Sequence, residues 1–180
     1  MKNQNTKKLA YAALFLALCL VLPMLTGQIP QIGSMLLPMH IPVLLCGDVC
    51  GWQYGAAVGF AAPLLRSVLF GMPPMYPVAI AMAFELLTYG LVIGLVYRRM
   101  AQKGAAGVYA ALLTAMAVGR LVWGVAEVVL LGLGGKAFTA QAFLAGALLN
   151  AVPGIIVQLV LIPAVMAALQ KAGAVKEYAE

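Results

Sequence analysis

The sequence predicts an all-α integral membrane protein, a bundle of six transmembrane helices. Three observations predict it: a high apolar fraction, little charge, and long apolar segments that recur along the chain. Of the 180 residues, 64% are hydrophobic and 9% are charged, and the mean hydropathy is +1.03. Soluble domains are typically about 45–50% apolar and about 25% charged. A water-soluble globule is therefore excluded, and the chain is expected to form one transmembrane domain, 1–180.

Six apolar segments follow one another, separated by short joints rich in proline, glycine or charge. The predicted spans are approximately 9–25, 41–49, 53–70, 78–97, 105–131 and 142–169. The joints are TGQIPQIGSMLLPMH, a turn at Gly51, GMPPMYP, RRMAQKG and GLGGKAFTAQ. A span needs about 20 mostly apolar residues, so the second segment is short. The first segment follows MKNQNTKK without a small-residue cleavage site, which predicts a retained helix rather than a signal peptide.

The distribution of lysine and arginine predicts the orientation. These residues concentrate at the N-terminus, in the joint RRMAQKG and in the C-terminal tail, whereas the opposite side receives only Lys136. Cytoplasmic loops are enriched in Lys and Arg. Six spans place all the rich regions on one side, so both termini are expected in the cytoplasm. The net charge of +6 thus indicates which side of the membrane the loops face, and no nucleic-acid partner is expected.

Charged residues inside the apolar segments are the strongest functional signal. Arg66, Glu85, Arg120 and Glu127 are each flanked by apolar residues. A charge at the centre of a membrane helix costs about 2.5–3.5 kcal/mol on insertion scales, and such residues mark substrate or ion paths. The predicted orientation puts them in the outer half of the bundle or near its midplane. The alternative is that the four form structural ion pairs.

Helical spacing adds further side chains to this layer. Arg120, Trp123 and Glu127 share one side of the fifth segment, and Glu85 and Tyr89 share a face of the fourth. The remaining candidates are Asn150, in the sixth segment, and His40, at the outer end of the second. His40 precedes an Ile-Pro step and could equally be an interface residue. The pattern predicts an outward-facing pocket of mixed charge with an aromatic wall.

Small residues at four-residue spacing predict close helix contacts. Gly51, Gly55 and Gly59 form one run, and Gly90 and Gly94 form another. Packing inside the bundle is the simpler interpretation of the glycine runs. A second set of small residues lies near the start of the first segment and could contact either the bundle or an external helix. It consists of Ala10, Ala13 and Ala17.

The remaining motifs do not indicate an enzyme and are explained by packing. GLGGKAF resembles a phosphate loop, but Ala137 stands at the Ser/Thr position and the leading glycine is missing. No metal-ligand spacing is present, so neither a metal nor a cofactor is expected. The cysteines Cys19, Cys46 and Cys50 are interpreted as small buried packing residues. Asp48 is expected to be a cap or turn residue.

The chain resembles the substrate-binding S components of energy-coupling factor (ECF) vitamin transporters. The resemblance covers most of the chain and is strongest over LPMHIPVLLCGDVCGWQYGAAVGFAAPLLRSVLFGMPPMYPVAIAMAFELLTYG. It implies a bacterial plasma-membrane protein that binds a B-type vitamin or precursor from outside with high affinity. It also implies a membrane-embedded T component and two cytoplasmic ATPases as partners. Ala13 and Ala17 would form the docking face, and Gln28 to Met39 the lid.

The resemblance does not indicate which vitamin binds. The aromatic face favours a ring-bearing compound that resembles pyridoxine, a pyrimidine or a flavin. The two arginines are also compatible with pantothenate as the ligand. Two other functions remain. One is a stand-alone small-solute or proton-coupled transporter, with Glu85 or Glu127 as the proton site. The other is an intramembrane enzyme or structural subunit.

Overall fold

The computed structural model describes residues 2–25, 35–135 and 137–173. These residues are almost entirely helical and include no β-strand. The α-helices are α1 (Lys2–Leu25), α2 (His40–Cys50), α3 (Trp52–Phe70), α4 (Ile80–Met100), α5 (Ala105–Leu133), α6 (Ala140–Leu144) and α7 (Val152–Lys171). Single π-helical turns, Met75–Ala79 and Ala145–Leu149, precede α4 and follow α6. Most of the predicted lid, as well as Lys136 and the tail after residue 173, lies outside the described residues.

The all-helical class is confirmed, and four of the described helices are long and apolar enough to cross a membrane. They are Gln4–Leu25, Met75–Met100, Ala105–Leu133 and Val152–Lys171. With 11 residues, α2 is about 16 Å long, against a hydrocarbon core of about 30 Å. In α3, Arg66 and Pro63 interrupt the apolar sequence. By length and composition, four of the six predicted spans therefore correspond to a described helix that could cross a membrane.

The last predicted span needs a correction, because 142–169 is not one continuous helix. The chain leaves α6 at Leu144, passes through the π-helical turn and begins a new helix at Val152. Pro153 lies in the first turn of α7. Proline lacks the N–H that a helix interior needs, but the first turn has no partner for that group. The proline therefore marks the start of a helix rather than a kink within one.

Helix α4 is the centre of the bundle. It packs against α2, α3 and α5, while α1 lies on α2 and α3. Fully buried Leu86 and Ile93 belong to the hydrophobic core along α4. The last helix, α7, contacts α5 and α2. Residues spaced four positions apart form the buried face of α7. They are Gly154, Gln158, Ile162 and Met166.

Glycines bring α2, α3 and α4 unusually close together. A Cβ built on Gly55 would lie 2.7 Å from the Gly47 Cα and 2.8 Å from the Gly90 carbonyl oxygen. A Cβ on Gly94 would lie 2.5 Å from the Trp52 nitrogen. The predicted packing of the glycine runs inside the bundle is thus confirmed for these positions. Gly51 instead joins α2 to α3 with a φ of +97°, which only glycine adopts readily.

Helix α1 has two different faces. Its inward face carries Ala12 and Cys19, which are buried in the core. The outward face is exposed and includes Ala10, Ala13 and Ala17. The expectation for the cysteines is confirmed, since Cys19 and the two in α2 are buried and free. The bundle therefore leaves the alanine side of α1 uncovered within the described part of the chain.

Candidate functional site

A buried polar cluster lies where α2, α4 and α5 meet. The Arg120 Nη1 atom is 2.9 Å from the Glu85 Oε1 atom, and the His40 Nε2 atom is 3.4 Å from the same oxygen. The ring of Tyr89 packs edge-on against His40, with 5.2 Å between the ring centroids. His40, Glu85 and Tyr89 are each 1% exposed. The sequence prediction that these four residues lie together agrees with this geometry.

Local sequence explains how the cluster forms. Glu85 and Tyr89 are four residues apart on α4 and therefore share its face. A Cβ on Gly119 would lie 2.8 Å from the Tyr89 ring, so this glycine leaves the space that the ring occupies. The next residue on α5 is Arg120, which approaches Glu85 from the other side. His40 is the first residue of α2 and reaches the same carboxylate.

The cluster retains polar atoms without hydrogen-bond partners. Within the described part of the chain, these include both ring nitrogens of His40, the Glu85 Oε1 atom, and the Nε and Nη2 atoms of Arg120. The contacts to Glu85 are therefore close in distance but poorly aligned for hydrogen bonding. Buried polar groups are nearly always paired, and leaving one unpaired costs about 1–3 kcal/mol. Such a set of atoms is able to bind a polar molecule.

A second carboxylate lies near this cluster. Glu127 is two helical turns beyond Arg120 on α5, about 10 Å along the axis, and is 6% exposed. Among the described residues, no lysine, arginine or histidine forms an ion pair with Glu127. The cluster itself thus pairs one guanidinium with the Glu85 carboxylate, and Glu127 lies further along the same face of α5.

Trp123 belongs to an aromatic group at the C-terminal half of α5. Its ring stacks on Phe143 at 6.1 Å and meets Phe138 edge-on at 5.8 Å. A Cβ on Gly146 would lie 2.7 Å from the Trp123 ring, so the segment after α6 packs directly on the indole. An apolar groove of about 340 Å³ lies beside this group, between α5 and α6. Trp123, which the sequence analysis selected, thus belongs to an aromatic group whose other members, Phe138 and Phe143, it did not select.

Two other predicted members have their described contacts outside this cluster. The guanidinium of Arg66 donates a hydrogen bond to the Leu20 carbonyl of α1 and lies 5.3 Å from the Phe70 ring centroid. Asn150 is exposed, and its backbone N–H donates to the Ala145 carbonyl. Within the described residues, therefore, Arg66 joins two helices and Asn150 belongs to a turn.

Two buried polar residues were not selected from the sequence as site residues. Gln158 of α7 is 0% exposed, and neither its Oε1 nor its Nε2 atom has a hydrogen-bond partner within the described chain. Its place on the buried face of α7, four residues after Gly154, was the available signal. Asp48 was expected to cap a turn, which is wrong. It lies inside α2, 2% exposed, and both carboxylate oxygens are unpartnered among the described residues.

Comparisons with known proteins identify the family. Among the described residues, no group of three histidine, cysteine, aspartate or glutamate side chains is placed to hold a metal ion. Searches of curated proteins and of solved structures found no significant match. The family described as "ECF transporter, substrate-specific component" matches residues 7–167, which is most of the chain. With its membrane-spanning helices and buried polar cluster, this chain belongs to the family of substrate-specific components of ECF transporters.

Proposed function

We propose that the chain binds a small water-soluble vitamin or vitamin precursor with high affinity and delivers it to an ATP-driven transporter. The observation that carries this proposal is the buried cluster around Glu85, in which several polar atoms have no hydrogen-bond partner among the described residues. Structural ion pairs alone explain the cluster poorly, because a buried pair gains little net stability. A bound polar ligand would satisfy these atoms, and family membership supplies the transport role.

The chemistry of each side chain suggests its role in binding. Arg120 would donate from its free Nε and Nη2 atoms to a ligand oxygen. His40 and Tyr89 would border the ligand with aromatic edges and one polar nitrogen. Glu127 would accept a hydrogen bond, and Trp123 would close the outer side of the site. In this proposal Arg66 and Asn150 do not contact the ligand.

The same proposal includes the arrangement in the membrane. The six-helix bundle would be completed by α2 and α3, which lie between two candidate spans, and both termini would be cytoplasmic in a bacterial plasma membrane. Its partners would be a membrane-embedded T component and two cytoplasmic ATPases. The exposed face Ala10, Ala13 and Ala17 would dock on the T component. The segment 28–39 would cover the ligand from outside.

The test compares basic residues at three places. In detergent-purified protein, Arg120→Ala should weaken binding of the compound that co-purifies with the wild type, as mass spectrometry identifies it, by about tenfold or more. The reason is that hydrogen bonds to charged groups contribute about 1.5–3 kcal/mol. Arg99→Ala is the matched control, since Arg99 is exposed at the opposite end of α4. Lys136→Ala, in the joint before α6, should also leave affinity unchanged.

Calorimetric titration of each variant measures these effects. Equal losses in Arg120→Ala and Arg99→Ala would contradict the placement of the site. The absence of any tightly bound small molecule in the wild-type protein would contradict the proposed function itself. Vitamin uptake that persists in cells without the ATPases would favour a stand-alone transporter instead.

A further inference from the structure

We infer that Gln158 of α7 determines which ligand binds, because its side-chain amide pairs with an N–H donor and an acceptor that lie side by side on the ligand. Cyclic amides, cyclic ureas and aminopyrimidines carry such an edge. This inference rests on the proposed function, since it adds one residue to the same site and names the chemical class that this residue recognises.

Gln158 is fully buried, and no described residue pairs with its amide. Its exposed fraction is 0%, and neither the Oε1 nor the Nε2 atom has a hydrogen-bond partner within the described chain. Buried side-chain amides are nearly always paired, and an unpaired one is costly. An apolar side chain of the same length would fill this place without that cost. The amide is therefore better explained by a molecule that binds to it than by packing.

Two contacts show how α7 lies along α2, which it contacts. Near the start of α7, a Cβ built on Gly154 would lie 2.6 Å from the Met35 carbonyl oxygen, shortly before α2. Near the end of α7, the Gln170 Nε2 atom donates to the Tyr97 hydroxyl at 2.9 Å. Tyr97 lies one turn beyond Gly94 on α4, where a Cβ would lie 2.9 Å from a carbonyl oxygen in the last turn of α2. The two helices therefore run side by side in the same direction.

This arrangement brings Gln158 to the level of His40. Gln158 is one helical turn, about 6 Å, beyond Gly154. His40 begins α2 four residues after Leu36, whose carbonyl would also meet a Cβ on Gly154. The ring nitrogens of His40 have no hydrogen-bond partner among the described residues either, and its Nε2 atom lies 3.4 Å from Glu85. Since α7 packs against α2 and α5, the amide lies on the α7 side of the polar cluster.

The chemistry of the amide defines the ligand edge that it accepts. Its oxygen accepts and its nitrogen donates in one plane, so a glutamine pairs with a neighbouring donor and acceptor at once, as it does with adenine in DNA. A ligand without this edge would leave both amide atoms unpaired in a desolvated place, and sites of this kind reject such analogues strongly. The open-chain amide of pantothenate points its N–H and C=O in opposite directions. Pantothenate is therefore disfavoured.

Two glutamines on one helix provide the test. Gln158→Met keeps the length of the side chain but removes both polar atoms, and should weaken binding of the co-purifying compound about tenfold to a hundredfold. Without ligand, this variant should unfold at the wild-type temperature or above, because an unpaired polar group leaves the interior. Gln170→Met is the matched control, since that amide already bonds to Tyr97. The control should unfold at a lower temperature and bind the compound as the wild type does.

Calorimetric titration and thermal unfolding of the detergent-purified proteins measure both effects. Thiamine, riboflavin and biotin are the probes that carry the edge, whereas pyridoxine and pantothenate lack it. Tight wild-type binding of a compound without the edge, or unchanged affinity in Gln158→Met, would overturn this inference and leave the proposed function intact. A loss of stability in Gln158→Met equal to that in Gln170→Met would assign the amide to a structural contact and would also overturn it. If the wild type releases no small molecule and binds no probe, the proposed function fails as well.

Discussion

At the scale of single residues, Arg66 and Arg120 show that the same sequence signal has two physical outcomes. Both are arginines in apolar segments, and both had been expected in one pocket. Arg120 meets a carboxylate at 2.9 Å, whereas Arg66 donates to the Leu20 carbonyl, 46 positions away in the chain. A backbone carbonyl carries no sequence signature. The grouping of Glu85, Tyr89 and Arg120 was therefore predictable from spacing, but the contact of Arg66 with the Leu20 carbonyl was not.

This difference predicts separate effects on stability and binding. Arg66→Gln should lower the stability of the detergent-purified protein by about 1–3 kcal/mol, because the Leu20 carbonyl loses a charged donor in a buried place. Affinity for the co-purifying compound should change much less than in Arg120→Ala. Thermal unfolding and calorimetric titration measure the two quantities. A folded Arg66→Gln protein that no longer binds the compound would instead indicate that Arg66 belongs to the binding site.

At the scale of elements, α7 begins after the break that follows α6, and its first turn packs against the segment before α2. The sequence indicated a proline at 153 but not that the helix would restart beside it. On α7, Gly154 meets the backbone of the described end of the predicted lid, since a Cβ there would lie 2.6 Å from the Met35 carbonyl oxygen and 3.0 Å from that of Leu36. Backbone atoms cannot rotate away as a flexible side chain can.

Gly154→Ala should therefore displace residues 35–36 or move α7, at a cost of about 1–3 kcal/mol, as overpacking does. We expect a lower unfolding temperature and weaker binding of the co-purifying compound. Gly132→Ala is the matched control, because a Cβ on Gly132 of α5 meets nothing within 4 Å. That control should be neutral or slightly stabilising, by up to about 1 kcal/mol. Equal behaviour of the two variants would refute the close contact.

At the scale of the whole molecule, composition and periodicity predicted the helical membrane class and the order of the first five helices. Glycine spacing predicted the contact of α2, α3 and α4, because small residues at four-residue intervals have few other uses in lipid. The number of spans was less predictable. The short α2 and the charged α3 do not meet the length and apolarity of an independent span, so their depth depends on the helices packed around them.

Orientation belongs to this scale, and the loop charges predict that both termini are cytoplasmic. A C-terminal epitope tag should resist protease added to intact cells and should be cleaved once the cells are permeabilised. The matched control is the same tag inserted after Gly135, in the joint between α5 and α6, which should be cleaved in intact cells. The physical basis is the excess of Lys and Arg on the side of both termini. Cleavage of the C-terminal tag from outside would reverse the topology and move the site to the cytoplasmic half.

The exposed alanine face of α1 predicts how the chain works with its partners. Ala13→Leu combined with Ala17→Leu should abolish vitamin uptake in cells that contain the T component and the ATPases, because larger side chains prevent close helix approach. Both positions are exposed, and leucine suits a lipid-facing helix, so folding and ligand binding should persist in the purified protein. Ala117→Leu is the control, since Ala117 is exposed on α5. Loss of binding in the double variant, or equal loss of uptake in the control, would exclude this face as the docking surface.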